Sequence, residues 1–202
     1  MQTHHAAAVR PLPLLIFDKE KFMTGFAPLF NATRSALAGE GAQTIVRFNA
    51  ASRGNDGLHR RVKIRGFAVE VDEPESLGGT DRAPSPVEYA LAALATCQEI
   101  TYRLHADSLG IALNDVSVEL EGELDLRGFF GAVEGVRPGF LNINGSVRFD
   151  SSAPAADLER LKSVVDAHCP VLDLFNNATP VQIRIADPIA PVARVAEVAD
   201  AV

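Results

Sequence analysis

Apolar and polar residues alternate along several stretches of the chain, a pattern typical of strands with one buried face. This alternation predicts strands at 43–52, 60–72, 114–130, 140–150 and 180–186. Turn-forming residues between the first two strands predict a hairpin, and a longer Gly/Pro-containing loop joins the third and fourth into another. The strands are therefore expected to form antiparallel sheets.

Helical spacing of apolar residues replaces alternation in two longer stretches. A helix is predicted from Pro86 to about Leu109, where Gly110 provides a C-terminal cap. A second helix is predicted over 155–168, ended by Pro170, with a short helical turn after it. Two helices packed with antiparallel sheets predict an α+β fold, with the longer helix at its centre.

The two ends of the chain differ from this body. Residues 1–42 are predicted to form an N-terminal helical extension, with Phe and Leu at helical spacing and an interruption or bend at Pro28. Residues 43–186 form the predicted main domain, and the Ala/Val-rich residues 187–202 a tail.

Composition limits the classes of function. The chain has 202 residues, 47% of them apolar, and a net charge of −7, which disfavours nucleic acid and anionic membranes as partners. No apolar run reaches the length of a membrane span or resembles a signal-peptide core, so a cytoplasmic protein is expected. Two cysteines are too few for a disulfide scaffold, and we expect no metal or cofactor.

The first cysteine, Cys97, lies within the long predicted helix. Ser85, Pro86 and Glu88 match a capping box with proline at the first helical position, which gives Glu88 a complete structural explanation. The following residues, as far as Cys97, are almost all apolar, so the helix is expected to be buried on every face. Cys97 is therefore either a small core residue or a reactive thiol.

The second cysteine, Cys169, stands between His168 and Pro170, where the second helix is predicted to end. A thiol at such a corner is more open to approach than one within a helix. His168 faces another direction than Cys169 and is interpreted as a surface residue, not as a base. The two cysteines suggest a redox pair, in which one thiolate attacks an oxidant and the other resolves the sulfenic acid.

These residues resemble those of a known family. The segment "DEPESLGGTDRAPSPVEYALAALATC", followed by "LEGELD" and "HCPV", is similar to the OsmC-like family, which includes osmotically inducible protein C and the organic hydroperoxide resistance proteins. The resemblance covers roughly residues 45–186, and the "SPVE" sequence is closer to a separate branch than to the best-studied peroxidases.

The resemblance implies an intertwined homodimer that reduces organic hydroperoxides through thiol chemistry. By position, Cys97 corresponds to the peroxidatic cysteine and Cys169 to the resolving cysteine. A dithiol reductant, such as a lipoylated or thioredoxin-like protein, would restore both thiols.

Two further family residues match less directly. The family's catalytic glutamate stands ten residues before the reactive cysteine, but here Val87 has that position and Glu88 is nine before Cys97. Nine helical residues span about 13 Å, so Glu88 would act through a bridging arginine or across a dimer interface. Among the arginines at the first hairpin, Arg53 is the candidate to stabilise the Cys97 thiolate.

Three hypotheses remain open from the sequence. The leading one is a hydroperoxide-reducing enzyme. The second is a binding protein that keeps the fold but has little turnover and holds a small apolar or thiol-bearing ligand between its helices. The third is a purely structural dimer with two buried cysteines.

Overall fold

The computed structural model describes residues 25–185, and the predicted parts 1–24 and 186–202 lie outside this range. In chain order the elements are α1 (Ala27–Leu37), β1 (Ala51–Asp56), β2 (His59–Ile64), β3 (Phe67–Val71), α2 (Pro86–Ser108), β4 (Asp115–Leu124), α3 (Leu126–Phe129), β5 (Phe140–Asp150), α4 (Ala155–His168) and α5 (Pro170–Asn176). A single 3-10 turn, Glu75–Leu77, lies in the loop before α2.

The strands form two antiparallel sheets. β1, β2 and β3 make a three-stranded sheet in which β2 is central, and Arg53 stands opposite Arg61, which in turn stands opposite Glu70. β4 and β5 make a separate two-stranded sheet, with Val118 opposite Val147. The three-stranded sheet is joined to α2 by the Tyr89 hydroxyl, which donates a 2.7 Å hydrogen bond to the Glu70 carbonyl oxygen.

The hydrophobic core lies where α2 packs against the two-stranded sheet and α4. Its fully buried members come from α2, the segment after it, β4 and α4: Tyr102, Ala106, Ile111, Val116, Leu161 and Val165. The ring of Tyr102 meets that of Phe149 edge to face at 5.0 Å. The helix that carries Cys97 is thus central, as its apolar sequence predicts. The expectation that it is buried on every face is wrong, because one side of it remains uncovered in the single chain, where Val87 is 43% and Ile100 60% exposed.

Helix α1 differs from its prediction at the proline. Pro28 is the second residue of α1, so it begins the helix instead of bending it, as its fixed φ and missing N–H favour. The backbone N–H of Ala27 donates to the Asp107 carboxylate, and a 2.8 Å hydrogen bond joins Ser108 to Asn31. These contacts attach α1 to the C-terminal end of α2.

Three strand predictions are wrong in part. Residues 43–50 have no regular structure, and the first strand begins only at Ala51. The stretch 60–72 is two strands, because the backbone turns at Arg65, which has a positive φ of 57°. The predicted strand at 114–130 ends at Leu124, since the Asp125 side chain caps α3 by accepting from the Arg127 N–H.

The predicted closing strand at 180–186 is also wrong over the part that the structure describes. Residues 180–185 pair with no strand, and Ile183 is 93% exposed. Phe48 in the other unpaired segment is 89% exposed. Both segments keep the alternation of a strand, but a strand also needs a neighbour for its backbone N–H and C=O groups.

The α+β fold class is confirmed, with antiparallel sheets and a long central helix that carries the first cysteine. Among the helices of residues 25–185, none is both long enough and apolar enough to span a lipid bilayer.

Candidate dithiol site

The sequence before Cys97 sets the start of the helix that presents it. Ser85 and Glu88 form the predicted capping box, and the Ser85 N–H donates to Glu88 Oε2 at 2.7 Å. These hydrogen bonds lower the pKa of the Glu88 carboxyl. From Pro86 the helix continues unbroken to Ser108, and Cys97 lies in its middle, half-buried.

Cys169 lies at the junction between α4 and α5. It is at once the C-cap of α4 and the N-cap of α5, with extended φ and ψ of −80° and 110°. Its N–H donates to the Val165 carbonyl at 2.9 Å, and its own carbonyl accepts from the Asp173 N–H at 3.1 Å. Pro170 occupies the first position of α5, so the proline fixes the corner at which the thiol sits.

The two thiols lie side by side although 72 residues separate them in sequence. The Cys169 thiol donates to Cys97 Sγ over a sulfur–sulfur distance of 3.5 Å, and neither cysteine is in a disulfide. Cys169 is only 2% exposed, so its position at the corner leaves it buried, contrary to the more open placement expected from the sequence. Of the pair, Cys97 has the greater access to solvent.

The surroundings of Cys169 favour its protonated form. Burial raises the pKa of the Cys169 thiol, and the hydrogen bond to Cys97 raises it further. The backbone N–H of Leu172 at the start of α5 acts in the opposite direction, but the net pKa shift is upward. Cys169 is therefore a neutral S–H donor at neutral pH.

The structure does not bring Glu88 next to Cys97 of the same chain. Because α2 is one continuous helix, the nine residues between them correspond to about 13 Å along its axis. The Glu88 side chain is exposed and turned back to its own N-cap.

Among residues 25–185, Arg53 also forms no hydrogen bond with either thiol. It lies exposed in β1, an outer strand of the three-stranded sheet, directly opposite Arg61. Arg61 is paired with Glu70 at 3.5 Å, whereas for Arg53 the described residues supply no ion pair and no hydrogen bond to Cys97. Two like charges in facing positions repel each other, which favours an anionic group beside Arg53.

Two histidine side chains, His105 of α2 and His168 of α4, lie where these two helices meet. The rings of His105 and His168 are 5.2 Å apart, and Phe30 of α1 meets His105 edge to face at 5.0 Å. His168 is exposed, as expected, and its Nδ1 is 2.7 Å from the Val164 carbonyl oxygen. Within residues 25–185 no three His, Cys, Asp or Glu side chains gather as metal ligands would.

Sequence reasoning missed two polar residues of α2, Gln98 and Tyr102. Both are buried and line a cavity between the two-stranded sheet and the helices α2, α4 and α5. A sequence signal exists for Gln98 alone, since an amide directly follows Cys97 at the end of the Ala/Leu-rich part of the helix.

Solved structures share this fold. An OsmC-like protein from Mycoplasma pneumoniae is 17% identical, with a TM-score of 0.57 over 65% of this chain and 88% of the other. An organic hydroperoxide resistance protein OsmC from Legionella pneumophila is 22% identical, with a TM-score of 0.52 over 66% and 91%. One from Elizabethkingia anophelis, also an organic hydroperoxide resistance protein, is 18% identical, with a TM-score of 0.53 over 66% and 90%.

No curated protein matches the chain. The sequence model of one family, described as OsmC-like protein, matches residues 79–184, which include all of α2 and both cysteines. This match covers more than half of the 202 residues. The chain therefore belongs to the OsmC-like protein family.

Proposed function

We propose that the protein is a thiol-dependent peroxidase that reduces organic hydroperoxides, with Cys97 as the peroxidatic and Cys169 as the resolving cysteine. The observation that carries the proposal is the 3.5 Å distance between the two sulfur atoms. Membership of the OsmC-like family supports the reaction class, and two similar structures are of proteins described as organic hydroperoxide resistance proteins.

In the first step the Cys97 thiolate attacks the distal oxygen of the hydroperoxide ROOH. The O–O bond breaks, Cys97 becomes a sulfenic acid, and the alkoxide leaves and takes up a proton to give ROH. In the second step Cys169 sulfur attacks the sulfenic sulfur, which forms the disulfide and releases water. A dithiol reductant then exchanges with this disulfide and returns both cysteines to thiols, while it becomes oxidised itself.

The contrast between the two cysteines supports this division of roles. Cys97 is the more accessible sulfur, so a peroxide reaches it first. Cys169 is buried and its pKa is raised, so it remains a thiol that donates to Cys97 Sγ.

We propose that Arg53 and Glu88 act across a homodimer interface, since neither reaches Cys97 within its own chain. Exposed apolar side chains in the unpaired segments support such an interface, among them Phe48 and Ile183. In the dimer the Arg53 guanidinium would stabilise the thiolate of the partner copy, with Glu88 holding the guanidinium in position.

Thiol counting during reaction with tert-butyl hydroperoxide tests the assignment. The wild-type protein should lose two thiols per chain and form an internal disulfide. Cys169→Ser should lose one and accumulate a sulfenic acid that dimedone labels, and Cys97→Ser should keep its remaining thiol. Unreactive wild-type thiols would reject the peroxidase and leave the binding or structural hypothesis.

The rate of the first step tests Arg53. Arg53→Ala should slow thiolate oxidation at neutral pH, and Arg53→Lys should restore part of it. Lys63→Ala is the matched control, because Lys63 and Arg53 both lie in the exposed part of the same sheet, and it should leave the rate unchanged. Equal rates in the wild type and Arg53→Ala would remove Arg53 from the proposed site.

A further inference from the structure

The two thiols have the spacing of a chelating pair as well as that of a redox pair. Cys97 Sγ and Cys169 Sγ lie 3.5 Å apart, and neither sulfur is in a disulfide. Thiolate sulfur binds a thiophilic centre such as zinc at about 2.3 Å, so one atom bonded to both sulfurs would make a sulfur–centre–sulfur angle of about 99°. The pair can therefore hold a single atom between its sulfurs without a change in their separation.

This angle distinguishes among the centres that bind thiolates. At the same bond length, a linear centre such as Cu(I) would place the sulfurs about 4.6 Å apart, and a tetrahedral centre such as zinc about 3.8 Å. Trivalent arsenic binds three ligands as a pyramid, and its lone pair compresses the angles between them below the tetrahedral value. The observed 3.5 Å is shorter than both other separations, so it fits the pyramidal centre best.

The number of protein ligands points in the same direction. Among residues 25–185 no three His, Cys, Asp or Glu side chains gather as metal ligands would, and the Nδ1 of His168 is 2.7 Å from the Val164 carbonyl oxygen. Zinc takes three or four protein ligands, so this pair alone leaves it under-coordinated. A trivalent arsenical needs only two sulfurs from the protein, because its own hydroxyl or organic group fills the third position.

We propose that the reduced Cys97–Cys169 pair is a binding site for trivalent arsenicals, which bridge the two sulfurs. The first arsenic–sulfur bond forms at Cys97, the more accessible sulfur, and the second at the buried Cys169. For an arsenical with one organic group and two hydroxyls, each thiol displaces one hydroxyl. Two S–H and two As–O bonds break, two As–S bonds form, and two water molecules leave with the thiol protons. Arsenic stays trivalent, so the step consumes no oxidant or reductant.

The bridged form is stabilised by chelation. Once Cys97 holds the arsenic, Cys169 already lies beside it, so the second bond forms within one molecule at a high effective concentration. An occupied pair has no free thiol, and the arsenical should therefore block peroxide reduction. This block rests on the proposed function, whereas the binding itself depends only on the positions of the two sulfurs.

Titration of phenylarsine oxide into the full-length reduced protein, followed by intact-mass spectrometry, tests the site. Each wild-type chain should gain one phenylarsenic group less two hydrogen atoms, and excess mercaptoethanol should leave this adduct in place while ethanedithiol removes it. Cys97→Ser and Cys169→Ser should each bind at least about 100-fold more weakly, because one arm of the chelate is lost. Wild-type protein oxidised with diamide is the matched control, since it keeps every side chain, and it should gain no mass.

Zinc chloride is the second probe, and it should bind the wild type no more tightly than Cys97→Ser. The inference would be overturned by a wild-type adduct that mercaptoethanol removes, by two phenylarsenic groups on one chain, or by zinc binding that requires both cysteines. Its failure and that of the peroxidase proposal are distinguishable. Thiols that chelate phenylarsine oxide but ignore tert-butyl hydroperoxide would reject the peroxidase alone, and thiols that reduce the peroxide without chelating would reject the arsenical site alone.

Discussion

Formation of the Cys97–Cys169 disulfide should stabilise the folded chain by a calculable amount. The sulfur atoms are 3.5 Å apart, and a disulfide requires about 2.05 Å, so they need to approach by about 1.5 Å. A shift of this size is within reach of side-chain rotation and a small movement of α5. The folded state therefore accepts the bond without a rearrangement of the core.

The magnitude follows from the length of the loop that the bond closes. The two cysteines are 72 residues apart, and closing such a loop lowers the entropy of the unfolded chain by about 15 cal/mol/K. At 25 °C this corresponds to about 4.4 kcal/mol of added stability. With a urea m-value of about 2 kcal/mol/M, the unfolding midpoint should rise by about 2 M.

Urea unfolding followed by circular dichroism measures the effect on two samples of one preparation. One sample is kept in a reductant, and the other is treated with one equivalent of tert-butyl hydroperoxide per chain. Cys97→Ser, exposed to the same peroxide, is the control and should show no change in midpoint. Coincident unfolding curves for a wild-type sample whose thiols have disappeared would refute the reasoning, because they would mean oxidation without an internal bond.

Two further predictions concern the scaffold of the site. Leu161 is fully buried between α2 and α4, and Leu161→Ala removes three buried carbon atoms worth about 2.4 kcal/mol before any cavity is counted. Chemical denaturation should therefore show a loss of about 3 to 5 kcal/mol, whereas Leu37→Ala on the half-exposed face of α1 should change stability by under about 0.5 kcal/mol. The second prediction concerns acid: burial and the neighbouring His168 and Arg34 lower the pKa of His105 below 6.5. The unfolded chain then binds a proton on His105 before the folded chain does, so stability should fall as the pH drops below 6.5 and level off below the folded pKa. His105→Asn should flatten this part of the pH–stability curve, and a curve of unchanged slope would contradict the assignment.

The two longest helices, α2 and α4, could be predicted from the sequence because their ends carry local signals. Ser85, Pro86 and Glu88 begin α2 where expected, and it ends at Ser108, within a residue of the predicted Leu109. α4 has the predicted bounds, since Pro154 and Pro170 limit it on both sides. Caps and prolines act within one helical turn, so a single sequence contains them in full.

The strands were harder to predict because alternation indicates a buried face and not a neighbouring strand. Residues 43–50 and 180–185 alternate like strands yet pair with no strand among residues 25–185. The turn at Arg65 was missed for another reason, since a positive φ at arginine is uncommon and only the adjacent Gly66 hints at a turn.

The candidate site could be predicted only in part. The sequence and the family resemblance indicate the two thiols as a candidate redox pair, but their 3.5 Å separation follows from the packing of α2 against α4 and α5. The burial of Cys169 was not expected, because Pro170 suggested an open corner. Gln98 and Tyr102 are not predicted as lining residues, because a cavity between a sheet and three helices produces no periodic pattern in the sequence.

The burial that makes Cys169 a poor first nucleophile is compatible with its proposed role as the resolving cysteine. A raised pKa keeps its proton in place while Cys97 reacts, so the buried thiol does not compete for the peroxide. Once Cys97 is a sulfenic acid, its hydroxyl group must leave as water and needs one proton. Cys169 holds that proton at its sulfur, 3.5 Å from the sulfur that it attacks. Proton transfer to the departing hydroxyl and formation of the S–S bond can thus occur together, without a free thiolate at a buried position.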